Sequence, residues 1–260
     1  MNKILRYSLL ILSLHLGVWA QSNLTSVPRF AIAKEVPTLQ LATPNLSQIA
    51  IEDELRDKQG VLYRIGVALP SNLSTSNAGN WTTLPDGSRQ WQVIVKTQGA
   101  EALSYLFEKF YLHGGSTLRI QNLQGQDVHP LLTSKDVEVH GMANAALCAG
   151  SAHILTLTEP AYTTPSEILI DRVMYNYRST GYGPAAKINE SDACEVNINC
   201  SPVGDPWQDE KRGVARVYVV EGNQAGWCSG SLINNTAQDC KPYFLTALHC
   251  GVSATAANMN

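Results

Sequence analysis

The chain has 260 residues and a formal net charge of -3 at neutral pH, a length that predicts one or two domains. A near-neutral balance without charge runs gives no electrostatic footing for nucleic acid or an anionic membrane surface. Ser, Thr, Asn and Gly are plentiful while long amphipathic helical patterns are scarce, which favours a β-rich protein.

Residues 1–20 read as a signal peptide. Lys3 and Arg6 supply a positive start, residues 8–14 open an apolar stretch too short to span a bilayer comfortably, and Val18-Trp19-Ala20 places small residues where signal peptidase cuts. Cleavage is expected after Ala20, before Gln21. An uncleaved anchor is the competing reading. No second apolar run follows, so the mature chain is expected to be soluble, off the membrane, and secreted to the periplasm or the extracellular space. Export permits disulfides.

Residues 21–54 are polar, with Pro28, Pro37 and Pro44, and read as an extended leader. Strands are then predicted at 61–69 (ended by Pro70), as a strand-turn-strand over 81–96, and at 102–110, 117–122, 153–158 and 168–175, with a loop over 71–80. Pro85-Asp86-Gly87 marks a turn, because proline presets φ and glycine accepts positive φ. Trp91, Val93 and Val95 alternate with Gln92, Ile94 and Lys96, the period of a half-buried strand. Short strands at this spacing predict an antiparallel β-sandwich over 55–178.

Residues 179–187 carry two glycines and Pro184 and read as an exposed linker, the kind of tract proteases cut. Beyond it, residues 188–260 hold Cys194, Cys200, Cys228, Cys240 and Cys250, whereas Cys148 stands alone upstream. An odd cluster in an exported chain means a free thiol, a pair across the boundary, or partners elsewhere. Further strands are predicted at 213–220, 226–235 and 242–247.

A lone histidine is weak evidence of function, but His249 has informative flanks. The stretches Trp227-Cys228-Ser229-Gly230-Ser231-Leu232-Ile233 and Phe244-Leu245-Thr246-Ala247-Leu248-His249-Cys250 resemble the paired strands of trypsin-like serine proteases. More closely, Cys194-x5-Cys200, Asn234-Asn235-Thr236-Ala237 and Tyr243-Phe244-Leu245-Thr246-Ala247-x-His249-Cys250 resemble bacterial lysyl endopeptidase precursors. The pattern Trp81-x-x-Leu84-Pro85-Asp86-Gly87-x-x-x-Trp91 is similar to their prosegments. The resemblance implies an all-β protein: an antiparallel sandwich prosegment, then the start of a trypsin-like double β-barrel. It also implies that His249 is the general base, a role suited to an unperturbed pKa of about 6.5, and that Cys228 and Cys250 are bridged beside it. Cys194 and Cys200 would pair with cysteines further on. The implied partners are polypeptide substrates and the chain's own prosegment, with no cofactor or metal. Self-maturation after lysine would cut after Lys187, with Arg178 as the rival site.

The chain departs from that pattern in three places. Cys240 has no implied partner, and Leu248 replaces a residue often smaller or polar. The triad aspartate and serine should follow His249 but are not found by Asn260, so the chain reads as the first part of a longer precursor, inactive alone. Ser229 and Ser231 precede the histidine on a strand, and Asp239 sits in the intervening turn, so none suits a triad role. Two alternatives remain open: a zinc site from Cys228, Cys240, His249 and Cys250, and an exported non-catalytic sandwich with a protease-like tail. His113, His129, His140 and His153 are expected to be ordinary surface or loop residues.

Overall fold

A computed structural model describes residues 35–59, 61–137, 141–182 and 196–251. The signal segment with Ala20, the proposed cut at Lys187, and His140 lie outside the described residues. In chain order the elements are β1 (Thr38–Gln40), α1 (Leu46–Gln59), β2 (Tyr63–Ser74), β3 (Asn80–Thr83), β4 (Arg89–Lys96) and β5 (Ala102–Tyr111). There follow β6 (Thr117–Asn122), β7 (Ala143–Ala149), β8 (Ala152–Glu159), β9 (Glu167–Asn176), α2 (Gln208–Gly213), β10 (Val214–Glu221), β11 (Gln224–Ile233) and β12 (Tyr243–Thr246). The fold is all-β in class.

Two sheets share one core. The first runs β1-β4-β8-β6, with β3 also paired to β4; the second runs β10-β11-β2-β9-β5-β7, with β12 paired to β11. Pairing is antiparallel except between β1 and β4. Trp91, Val93 and Val95 of β4 point inward as the alternation predicts, meeting Leu103, Tyr105 and Phe107 of β5 and Val173 and Tyr175 of β9. The predicted turn holds too: Gly87 has φ +83°, and Leu84 accepts its amide hydrogen at 3.0 Å.

Several expectations need correction. The leader is not wholly irregular, since β1 and α1 lie in its second half. Asn45 caps α1, its side chain accepting from the Gln48 amide at 3.1 Å. The helix is tied to the sheet by charge more than by apolar contact. Buried Arg64 donates Nε–H to buried Asp53 at 2.7 Å, and Tyr177 donates its hydroxyl to the other Asp53 oxygen at 2.7 Å. Arg178 grips Asp57 with two bonds of 2.9 and 3.0 Å.

Pro70 does not end its strand; β2 continues to Ser74 with an irregularity after Pro70. The Ala68 amide points to Asn223, on the β11 side, so two residues on Pro70 points the same way, past the end of the β11 pairing. A missing donor costs little at a free edge. β7 was not predicted, because Ala143-Asn144-Ala145-Ala146-Leu147-Cys148-Ala149 lacks β-branched and aromatic residues.

His153 is a buried core residue, not a surface one. Its Nδ1 meets the Tyr105 hydroxyl across the two sheets at 2.8 Å, and its Nε2 meets the Ala149 carbonyl at 2.8 Å. The ring therefore fits as the neutral tautomer, donating to Ala149 and accepting from Tyr105.

The three terminal strands, read from the sequence as the start of a barrel, extend the second sheet. β11 pairs with β2 through Gln224↔Val67, Ala225↔Gly66, Gly226↔Arg64 and Trp227↔Tyr63. They belong to the same compact unit as the sandwich.

Candidate active site

The site is built on β11, whose two halves have different neighbours. Gln224 to Trp227 lie against β2, while Gly230 to Ile233 lie against β12 through Gly230↔Thr246, Ser231↔Leu245, Leu232↔Phe244 and Ile233↔Tyr243. β10 covers the other edge from Gln224 to Ser231. The small residue in Cys-Ser-Gly-Ser has a steric cause. A Cβ on Gly230 would stand 2.3 Å from a Phe244 ring carbon and 2.6 Å from the Leu245 carbonyl oxygen. Any larger side chain would push β12 away.

Beyond β12 the chain stays extended at Ala247 and then closes a single 3₁₀ turn, Leu248–Cys250. The Cys250 amide donates to Ala247 at 3.0 Å and the Gly251 amide to Leu248 at 3.1 Å. Thr246 Oγ1 donates to the Ser229 carbonyl at 2.7 Å, fastening the strand just before the turn. The turn directs neighbouring side chains apart: Cys250 goes inward and His249 stays exposed. Cys228 and Cys250 form a disulfide with Cα atoms 5.9 Å apart, as the resemblance implies. Both cysteines are buried and pack with Leu62, Val217 and Val219.

The histidine and the two sulfurs lie within 4.8 Å of one another, yet bridged sulfurs offer no thiolate, so this trio does not make a zinc site. Cys240, the fourth ligand of that reading, is exposed in the β11–β12 loop and unbridged, like Cys200. Asp239 is spent on its own loop, accepting from Asn235 Nδ2 at 2.8 Å and the Lys241 amide at 3.2 Å. The Asn235 bond, with the Lys241 amide next, holds its carboxyl below the ordinary range. Ser229 and Ser231 line an open depression with Val214, Leu245, Thr246 and Ala247. Among the described residues no side chain hydrogen-bonds the His249 imidazole. The structure thus brings His249 and the disulfide together, and leaves Asp239 occupied in its loop. An exposed imidazole on a turn pinned by a strand pair and a disulfide can take and return a proton at a fixed place.

Sequence reasoning missed the anchors of this platform. Trp227 donates Nε1–H to the Ser179 carbonyl at 2.9 Å, while Arg216 stacks 3.7 Å over its ring. Tyr218 donates its hydroxyl to Asn176 Oδ1 at 3.0 Å, and burial pushes its pKa up to about 12. Gly226 was the one legible signal, a glycine inside a strand pattern marking a bulge or a close backbone approach. The register shifts at Ala225/Gly226, and a Cβ there would stand 2.6 Å from both Leu62 Cγ and the Tyr63 carbonyl oxygen.

A comparison with known families suggests a protease-related function. Residues 188–260 match the family described as Lysyl endopeptidase, C-terminal domain. The matched segment includes β10, β11, β12, the disulfide and His249; the sandwich lies outside it. No solved structure matches the chain.

Proposed function

We propose that the chain is the N-terminal part of a secreted serine endopeptidase precursor that cleaves peptide bonds after lysine. In this reading His249 is the general base. It takes the proton of a serine hydroxyl as that oxygen attacks the peptide carbonyl, then returns it to the leaving amine. The serine and the aspartate that orients the imidazole are supplied by sequence beyond Asn260. The observation that carries the reading is the placement of His249: exposed, one residue before a buried cysteine bridged to β11. Fixing the base on a rigid element is what proton transfer at a defined atom requires.

Maturation follows from the same reading: cleavage after Ala20 on export, then after Lys187, leaving Ile188 as the new terminus. The packing supports Lys187 over Arg178. Arg178 is held by Asp57, donates Nε–H to the Arg64 carbonyl at 2.8 Å and stacks 4.2 Å over Tyr63. Thr180 beyond it is buried and donates its hydroxyl to Glu101 at 2.7 Å. A protease cutting after Arg178 would first have to pull out this whole segment. N-terminal sequencing of the secreted protein is expected to give Ile188; an intact chain starting at Gln21 contradicts the maturation step.

One observation favours a second reading, an exported sandwich whose tail is non-catalytic: β11 completes the sandwich's own sheet, a structural role that needs no catalysis. Peptide hydrolysis by the complete reading frame separates the two. A lysyl peptide substrate is expected to be hydrolysed, with His249→Ala reducing kcat/KM by several orders of magnitude, roughly the loss of a triad member. A rate near wild type in His249→Ala contradicts the role given to His249. A complete, folded product that neither hydrolyses peptides nor reacts with a serine-directed phosphonate supports the second reading.

A further inference from the structure

The edge of β2 meets a partner formed by residues far away in the chain. The ladder from Tyr63 to Val67 is continued by the Ala68 amide, which donates to the Asn223 carbonyl at 2.9 Å, in the turn between β10 and β11. Arg172 of β9 reaches the same turn and donates to the Gly222 carbonyl at 2.6 Å. At the other end Trp227 is bonded to Ser179 and Tyr218 to Asn176. Between them, Leu62 is buried against the Cys228–Cys250 bridge, Val217 and Val219, and Ala225 is fully buried.

Every group on the sandwich side of this contact lies before residue 183, and every group on the hairpin side lies after residue 195. The described groups on both sides of the contact thus lie outside the connecting segment 183–195. No described disulfide crosses it either, since Cys228 and Cys250 both lie on the hairpin side and Cys148 is buried and unbridged. A strand edge that gains backbone bonds from an added strand, with flanking side chains setting the register, is a recognised mode of protein docking. Bare, the same edge would be an aggregation-prone template.

We propose that the β2 edge is a strand-docking site for the 222–227 hairpin, and that it holds the two parts of the chain in one complex after the connection through 183–195 is cut. The partner is a segment of this same chain, recognised by backbone pairing, by the close approach at Gly226 and by the Leu62 contact. The inference rests on the sheet pairing alone and stands whether or not His249 is catalytic.

The test uses the full chain with a recognition sequence for a site-specific protease replacing residues 184–188. After complete cutting, verified by denaturing electrophoresis with thiols alkylated, size-exclusion chromatography is expected to give one peak at the elution volume of the uncut chain. Two separate peaks would overturn the proposal. Gly226→Val, whose side chain would collide with Leu62 and Tyr63, is expected to release the cut pieces as two peaks. A cut Gly226→Val complex as durable as the parent would overturn the assigned register. Should Gly226→Val not fold uncut, Trp227→Phe keeps an aromatic side chain but loses the bond to Ser179 and part of the ring surface under Arg216, and is expected to raise the dissociation rate of the cut complex several-fold. An unchanged rate would count against the side-chain anchors named above.

Discussion

The sandwich and the β10–β12 segment are held by different means. In the sandwich, Trp91, Tyr105, Phe107 and Phe110 are essentially sealed from water between two sheets. In the terminal segment, Leu232, Tyr243, Phe244 and Leu245 are substantially exposed, and every residue of β12 is open to solvent. The sandwich has a core of its own; the terminal strands have a disulfide, a small cluster around Leu62 and a borrowed sheet edge. The candidate catalytic histidine therefore rides on the less self-sufficient region, and its position depends on covalent and backbone links more than on apolar packing.

Substitutions that should act on one region and spare the other sharpen that contrast. Trp91→Ala removes a fully buried ring whose Nε1–H also bonds the Ala78 carbonyl at 2.7 Å. A loss of about 4 kcal/mol in urea denaturation is expected, as for large-to-small core changes. Leu245→Ala, in exposed β12, should stay within about 0.5 kcal/mol. Comparable losses from the two would erase the distinction.

Asp53→Ala comes next. It leaves buried Arg64 without its closest carboxylate and Tyr177 without its acceptor; breaking a buried pair from one side costs about 3 kcal/mol. Stability within about 0.5 kcal/mol of wild type would show that α1 is not fastened by charge.

Replacing both Cys228 and Cys250 by serine removes a crosslink of sequence separation 22. The chain-entropy estimate for such a loop is about 3 kcal/mol, and less is often measured. The loss should be local: faster hydrogen exchange in β10–β12, with the sandwich transition in place. A sandwich transition lowered by the full amount would mean the two regions unfold as one.

The smallest expected effect is a pH dependence. Burial pushes the His153 pKa below its ordinary value, partly opposed by the Ala149 bond. Between the folded value and about 6.5 the unfolded chain binds more protons, so His153 contributes stability that is present above that range and is lost as pH falls through it. Wild type should lose stability as pH falls from about 7.5 to about 5, and His153→Gln should flatten that slope in paired denaturation curves. An unchanged slope would place the titration elsewhere.

Much of the sandwich was legible because its core strands obey period two and its turns carry glycine: β4 reads as Trp91, Val93, Val95, and Gly87 closes the turn before it. α1 was not legible, because its docking uses Asp53 and Arg64 and its sequence shows no apolar stripe; polar composition suggested a leader. His153 looked ordinary since a buried imidazole needs a Tyr105 from another sheet, which no local pattern reveals. The Cys228–Cys250 bridge was implied by the resemblance that a local motif carries, whereas the 3₁₀ turn holding His249 was not read from the sequence. The β2–β11 pairing joins residues far apart in sequence and has no local signature beyond Gly226.

The pairing itself is the claim on which the placement of His249 rests, and one amide reports on it directly. The Ala68 N–H faces away from β9 and bonds only the Asn223 carbonyl of the β10–β11 turn. Native-state hydrogen exchange resolved at Ala68 is predicted to show protection, and Gly226→Val is predicted to remove it while β4 and β8 amides stay protected. Free-edge exchange at Ala68 in the wild-type chain would contradict the account.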